Sequence, residues 1–162
     1  MLKELISSQT CAKCRFCCTF DSSDAWELPV IDGQLAQTSA LQHCRFDVKN
    51  SVCKFAPQYN SEGLFACPML TENGCRLGDN KPFDCRLWPL RVMTAGNYYL
   101  LTLSPNCPAT SQHSLTTIIE FIEKHNIAQI AFDNAQQHSQ ALHHYIDGYP
   151  VFAIKKITNK EL

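Results

Sequence analysis

Cys11-Ala12-Lys13-Cys14-Arg15-Phe16-Cys17-Cys18 puts four thiols within eight residues, and this run constrains the chain more than any other feature. Thiols packed so densely are disulfide-bonded, metal-bound or readily oxidised. The opening residues from Met1 to Thr10 lack the continuous apolar stretch of a signal peptide, and no small-residue lipobox precedes Cys11. The expectation is a cytoplasmic protein whose cysteines stay reduced unless ligated, which makes metal the leading reading of the run.

The chain has 162 residues, enough for one domain with a real core. Its hydrophobic content of 45% and charged content of 18% are those of a globular chain rather than a disordered one. The formal net charge is −1 and the longest basic tract is Lys155-Lys156, so no strong field draws in nucleic acid or an anionic membrane. No apolar run approaches the ~20 residues that span a bilayer. The ten cysteines are ordered along the chain. After the opening run come Cys44 and Cys53, then Cys67, Cys75, Cys85 and Cys107, and none follows. Two regions of one domain are expected: a cysteine-cluster metal-binding core over 8–110 and a helical appendage over 113–150, packed on that core.

The pattern predicts an α+β fold: a small loop-rich cysteine-cluster core with a short β-hairpin and a C-terminal helical pair. Leu2 to Ile6 reads as a short helix leading into the cysteines. Trp26 to Gln34 reads as an extended piece ending in an Asp32-Gly33 turn. Arg91-Val92-Met93-Thr94 and Tyr98 to Leu103, rich in β-branched and aromatic residues around Gly96-Asn97, read as the hairpin. Thr117 with Glu120 suits a capping box, and Leu115, Ile118, Ile119 and Ile122 give one apolar helical face expected to be buried. A second helix is predicted over Ala128 to Ile146, stopping before Gly148-Tyr149-Pro150. Val151 to Ile157 suits a final edge strand. His138, His143 and His144 are expected to be at least partly exposed and away from any metal; only His43, beside Cys44, sits near a cysteine.

Cys-x-x-Cys-x-x-Cys is a compact way to bring three thiolates to one centre. In bacterial-type ferredoxins such a loop wraps a cubane cluster, with a distant cysteine followed by proline as fourth ligand. This chain offers two such cysteines, in Cys67-Pro68 and Cys107-Pro108. On a helix, at ~100° per residue, Cys11, Cys14 and Cys18 would instead share a face while Cys17 diverged. In either case the side chains of Cys17 and Cys18, as neighbours, are expected to point apart, so the extra thiol suits a second site or a bridge between sites. A tetrahedral structural zinc site satisfies the same spacing. Sulfur-only ligation without two separated Cys-x-x-Cys knuckles favours an iron–sulfur cluster of the 4Fe-4S type, with zinc as the alternative or as a second site. Cys44 and Cys53 read as ordinary half-buried thiols. Phe16, Trp26, Phe83 and Trp88 read as shields against water.

The later cysteines sit in recognisable elements: Cys67-Pro68-Met69-Leu70, Gly74-Cys75-Arg76-Leu77, and Lys81-Pro82-Phe83-Asp84-Cys85-Arg86-Leu87-Trp88-Pro89. With the opening run and Cys107-Pro108, these resemble in order the CxxCxxCC family of zinc- or iron-chelating proteins, the YkgJ-type cysteine cluster proteins. The resemblance covers about 11 to 108. Lys81 stands where that family has Arg, Trp88 where it has Phe, and Gly78 where it has Tyr. Ala109 stands where Gly is frequent, and the stretch holding Cys44 and Cys53 is an insertion. The resemblance implies a bacterial, cytoplasmic metal chelator with Cys11, Cys14, Cys17, Cys18, Cys67, Cys75, Cys85 and Cys107 as metal ligands. A related cysteine module resembles the front part of the flagellin lysine methylase, which implies a remote link to protein lysine methylation. From the residues themselves, Arg86 beside a ligand thiolate can offset the charge of an all-sulfur cofactor site or donate to its sulfurs.

Three functions follow as expectations. The first is a metal-binding, iron–sulfur cysteine cluster protein that carries electrons or serves another enzyme, and so has a protein partner. The second is a zinc-stabilised interaction domain without chemistry. The third is a small metalloenzyme. Because the cysteine-rich half has few long apolar periods, ligation is expected to supply much of its folding energy. Cys14→Ser should therefore give insoluble or metal-poor protein. Soluble protein with unchanged metal content and Tm would overturn that coupling.

Overall fold

The computed structural model describes residues 1–158, and it is an α+β protein. The chain divides into two compact units. The first comprises Met1 and Lys3–Arg86; the second comprises Leu2 and the described residues from Leu87 onward.

The first unit is built from short pieces. Helix α1, Ser8–Cys14, begins at the N-cap Ser7, whose Oγ accepts from the Thr10 amide at 3.1 Å. It ends at Arg15, held left-handed at φ 56°, whose amide donates to the Cys11 carbonyl at 3.0 Å. Thus the helix expected over Leu2 to Ile6 lies later, where Ser7 supplies a cap that the earlier residues lack. A 3-10 turn over Phe16–Cys18 leads into β1, Thr19–Phe20. Asp32 caps helix α2, Gly33–Ala36, by accepting from the Leu35 amide at 2.7 Å. The expected Asp-Gly turn is therefore a helix start, preceded by a single bridge between Val30 and Lys54.

Next come β2, Phe46–Lys49, and β3, Val52–Phe55, an antiparallel hairpin. Strands β4, Gln58–Tyr59, and β5, Phe65–Ala66, form with β1 a sheet of order β1-β5-β4. Strands β6, Leu70–Thr71, and β7, Gly74–Cys75, make a third small pair. Helix α3, Phe83–Leu87, follows, and the division between the units falls near its end. Ile31, Leu41, Phe55, Met69 and Leu77 form the central apolar cluster of this unit.

The second unit has longer elements. Strands β8, Leu90–Ala95, and β9, Tyr98–Leu103, pair antiparallel from Leu90 opposite Leu103 to Ala95 opposite Tyr98, so the hairpin turns at Gly96-Asn97 as expected. Helices α4, Leu115–Lys124, and α5, Ile127–Gln137, supply the helical pair. Strand β10, His143–His144, runs parallel to β8, and β11, Val151–Lys156, runs antiparallel to β9. The sheet order is β10-β8-β9-β11, which puts β11 at an edge as expected. Helix α5 lies against β8 and β9, with the Tyr99 and Phe132 rings stacked at 6.4 Å.

Three details of this unit differ from expectation. The cap of α4 is Ser114, whose Oγ accepts from the Thr117 amide at 3.1 Å, rather than Thr117 itself. The second helix stops at Gln137, because His143 and His144 pair with Met93 and Thr94 of β8 instead of extending it. The buried face of α4 is Ile118, Phe121 and Ile122, whereas Leu115 and Ile119 are exposed at 61% and 43%. Ile119 sits ~100° around the helix from Ile118, outside the arc that Phe121 and Ile122 define. His138 and His143 are half-buried and His144 is exposed, as expected. Among the described residues, no helix is long and apolar enough to cross a membrane.

The two neighbouring isoleucines of α4 should respond differently to truncation. Ile118→Ala removes a side chain that is 2% exposed and should cost about 2–5 kcal/mol. Ile119→Ala should stay within about 0.5 kcal/mol of wild type. Chemical denaturation followed by circular dichroism measures both; equal losses would contradict this packing.

Candidate metal centre

Each cysteine of the first unit is delivered by its own short element. Cys11 and Cys14 lie one turn apart on α1. The left-handed Arg15 then breaks the helix, and the 3-10 turn carries Cys17 and Cys18. Their sulfurs are 4.0 Å apart, so these neighbours do not point away from each other as expected. Breaking the α-helix at Arg15 also means that Cys11, Cys14 and Cys18 are not on one continuous helical face. Cys67 follows β5 and is tied to the opening run by backbone, its amide donating to the Cys18 carbonyl at 2.8 Å. Cys75 closes the β6–β7 pair opposite Leu70. Cys85 sits in the middle of α3.

Two further contacts fix the opening run on the β6–β7 pair. The Arg15 side chain donates from Nε to the Ala12 carbonyl and from a terminal nitrogen to the Glu72 carbonyl, each at 3.2 Å. Helix α1 lies against β7, where a Cβ on Gly74 would come within 3.2 Å of the Ala12 Cβ. Gly74 also has φ +97°, a conformation that costs any other residue dearly. A glycine there lets the helix bearing Cys11 and Cys14 approach the strand bearing Cys75.

Burial and neighbouring charge act on several of these thiols. Cys17 is raised well above the ordinary thiol range, chiefly by its contact with the Cys18 sulfur, then by burial and by charge on Cys18. Lys81 pulls in the opposite direction. Burial pushes Cys67 up to about 11, helped by Cys75, Cys17 and Cys44 and opposed by the Met69 amide. Cys85 is also raised, by burial first and then by Cys67, Asp84, Cys17 and Cys75. Cys17, Cys67, Cys75 and Cys85, from four different segments, are therefore close enough for their charges to repel. Cys44 and Cys53 are raised by burial as well, and Arg76 partly relieves Cys44. Among the described residues, no group of three or more Cys, His, Asp or Glu side chains is gathered tightly enough to hold a metal ion.

The remaining candidates fall as follows. Cys107 belongs to the second unit, where it is buried and its carbonyl accepts from the Thr110 amide and hydroxyl at 3.2 and 2.9 Å. Arg86 is exposed, with its guanidinium 5.8 Å from the centre of the Phe83 ring. Phe16 is 47% exposed. His43 is exposed beside Gln42. Residue-by-residue reading did not single out Lys81 as the cation facing Cys17, Arg76 as the cation facing Cys44, or Asp84, whose carboxylate accepts from the Val30 amide at 2.9 Å while raising Cys85. Each lies within four residues of a cysteine in the chain, which is the only signal the sequence offers for them. Compared with protein-family models, curated proteins and solved structures, the chain matches none.

In the reduced, metal-free protein, Cys67 keeps its proton in the fold up to about pH 11, whereas the unfolded chain releases it near 9. The unfolded state therefore binds fewer protons across that window, and stability is full below pH 9 and falls as the pH rises towards 11. Denaturation midpoints of wild type and Cys67→Ala should converge over this range. A difference that stays constant or widens would mean that Cys67 is not held protonated.

Proposed function

We propose that the first unit is a thiolate metal centre of the kind found in the CxxCxxCC cysteine cluster proteins. In this reading the centre is iron–sulfur in nature and carries electrons or serves another protein. What supports the proposal is that Cys17, Cys67 and Cys75, from three separate segments, all act on the ionisation of the buried Cys85, which comes from a fourth. Neutral thiols gain little by meeting in this way, and ionised ones repel. A soft cation that takes the place of their protons turns the same arrangement into attraction.

The donor set suits such a group. It is all sulfur, which selects zinc or iron–sulfur centres over hard cations. Lys81 and Arg76 lie where they reduce the negative charge that several thiolates would accumulate. Cys17, Cys18, Cys67, Cys75 and Cys85 would hold the group, with Cys11 and Cys14 presented from the adjoining helix, and loading would draw these sulfurs closer together. An iron–sulfur group would supply one-electron transfer; zinc would supply crosslinking alone. Expected absence of nucleic-acid binding fits the near-neutral charge. A cytoplasmic location and a protein partner belong to this reading, because an electron carrier needs a reduced compartment and a docking protein.

Anaerobic purification with an absorption spectrum, metal analysis and acid-labile sulfide tests it. Brown protein with iron and sulfide in similar amounts is the expected result. Colourless protein with stoichiometric zinc would replace the electron-carrier reading with the structural one. Protein that retains neither metal, even after anaerobic reconstitution, would end the metal-centre reading.

A further inference from the structure

Cys17 and Cys18 are consecutive residues, and their sulfurs lie only 4.0 Å apart. An extended or helical backbone turns neighbouring side chains away from each other. The 3-10 turn over Phe16–Cys18 does not. Its main chain is tied at several points. The Cys18 amide donates to the Arg15 carbonyl at 2.9 Å, the Thr19 hydroxyl to the Phe16 carbonyl at 3.3 Å, and the Cys67 amide to the Cys18 carbonyl at 2.8 Å. The backbone that carries the pair is therefore held on both sides. Both residues are half-buried free cysteines, and Phe16 in the same turn is 47% exposed, so the turn can be reached from solvent.

The spacing selects among the things two thiols can do. A disulfide needs sulfurs about 2.05 Å apart and Cα atoms usually about 4.4–6.8 Å apart, whereas the Cα atoms of neighbouring residues are ~3.8 Å apart. A direct bond between Cys17 and Cys18 would be strained. One soft atom bonded to both sulfurs fits better. Two bonds of about 2.3 Å, opened to roughly the tetrahedral angle, hold their sulfurs ~3.8 Å apart, and a pyramidal trivalent atom holds them slightly closer. The pair is near that span already, so little freedom is lost on binding. A tetrahedral ion would need two further donors. Among the described residues, no three Cys, His, Asp or Glu side chains are gathered tightly enough to hold one. A trivalent arsenical with one organic substituent needs only two sulfurs, because the third bond of its arsenic is to carbon.

We propose that Cys17 and Cys18 form a two-thiol binding site for trivalent organoarsenicals in the reduced, metal-free protein. Binding of an arsine oxide, R–As=O, forms two As–S bonds and breaks two S–H bonds and the bond to oxygen, which leaves as water. Arsenic stays trivalent and no electron is transferred. The site uses two thiols alone, so it stands whether or not the metal-centre reading holds. Where that centre is loaded, its ion and the arsenical compete for the same sulfurs.

The test uses the full chain, reduced and metal-free, and phenylarsine oxide as the probe. After one equivalent is added, the remaining thiols are blocked with N-ethylmaleimide and the excess is removed. The arsenical is then released with dithiothreitol, and the freed thiols are labelled with iodoacetamide and mapped by peptide mass spectrometry. The label should fall on Cys17 and Cys18 together, at least about tenfold above any other pair. Label concentrated on another pair, or spread evenly over the ten cysteines, overturns the proposal. In denaturing urea the preference should fall to about threefold or less. An unchanged preference there also overturns it, because adjacency in sequence and not the turn would then make the site. In a second measurement, Cys17→Ser and Cys18→Ser should each lower the arsenical retained against excess glutathione at least about tenfold, while Cys11→Ser stays within about twofold of wild type. Wild-type retention in Cys17→Ser or Cys18→Ser refutes the assignment, as does an equal loss in Cys11→Ser. The label map of the wild-type chain decides the matter if a variant does not fold.

Discussion

A buried thiol is inexpensive to keep neutral and costly to ionise, and the first unit depends on how several of them share one region. Cys17 is pushed upward by its contact with Cys18 and by burial, and burial followed by neighbouring thiols pushes Cys67 and Cys85 upward, Cys17 acting on both. Each deprotonation therefore makes the next one harder. Lys81 opposes the rise at Cys17, and Arg76 that at Cys44, without cancelling either. The arrangement is stable either with its protons or with a cation that replaces several of them together. On the proposed metal-centre reading, that choice would couple the folding of the unit to its ligation and make the centre a property of the whole unit rather than of the opening run.

The backbone serves this arrangement by being interrupted often. A continuous helix through Cys11 to Cys18 would keep Cys11, Cys14 and Cys18 on one face and turn Cys17 about 100° away from Cys18. Arg15 at φ 56° ends the helix after two cysteines, and the tighter turn that follows brings the next two sulfurs to 4.0 Å. Strands of two residues then suffice, because their task is to place Cys67 and Cys75 rather than to build a wide sheet. Gly74 permits the close approach that a larger residue would block. Hydrogen bonds along the main chain, such as that from Cys67 to Cys18, do the joining that side-chain packing does in longer elements.

The sequence was most legible where a period ran long enough to be read. The hairpin over β8 and β9, the helix α4 and the edge strand β11 each carry six or more residues of consistent pattern. Helix ends were less legible, since Ser114 and Thr117 both suit a cap and only tertiary packing chooses between them. His143-His144 carried no strand signal, because a two-residue parallel pairing is decided by β8 and not by the residues themselves. In the first unit, residue types identified the cysteines but not their neighbours. Which thiol faces Lys81, Arg76 or Asp84 depends on loops of irregular length, and irregular loops have no period to read.

The two units also differ in what holds them. In the second, Met93, Tyr99, Leu101, Ile118, Phe121, Ile122, Ile127 and Phe132 are all buried, on strands and helices long enough to interlock. That unit has an apolar core of the usual kind, and burial at roughly 25 cal/mol per Å2 is an adequate account of it. In the first unit the central cluster is five residues, ringed by four cysteines. Carbon and sulfur there form one structure: Met69 and Leu77 flank the same β6–β7 pair that presents Cys75, and Leu41 anchors the turn that presents Cys44. A ligand that gathers the sulfurs therefore also tightens the apolar residues beneath them. Stabilisation by metal should accordingly be concentrated in this unit, where the smallest core and the largest number of candidate ligands coincide.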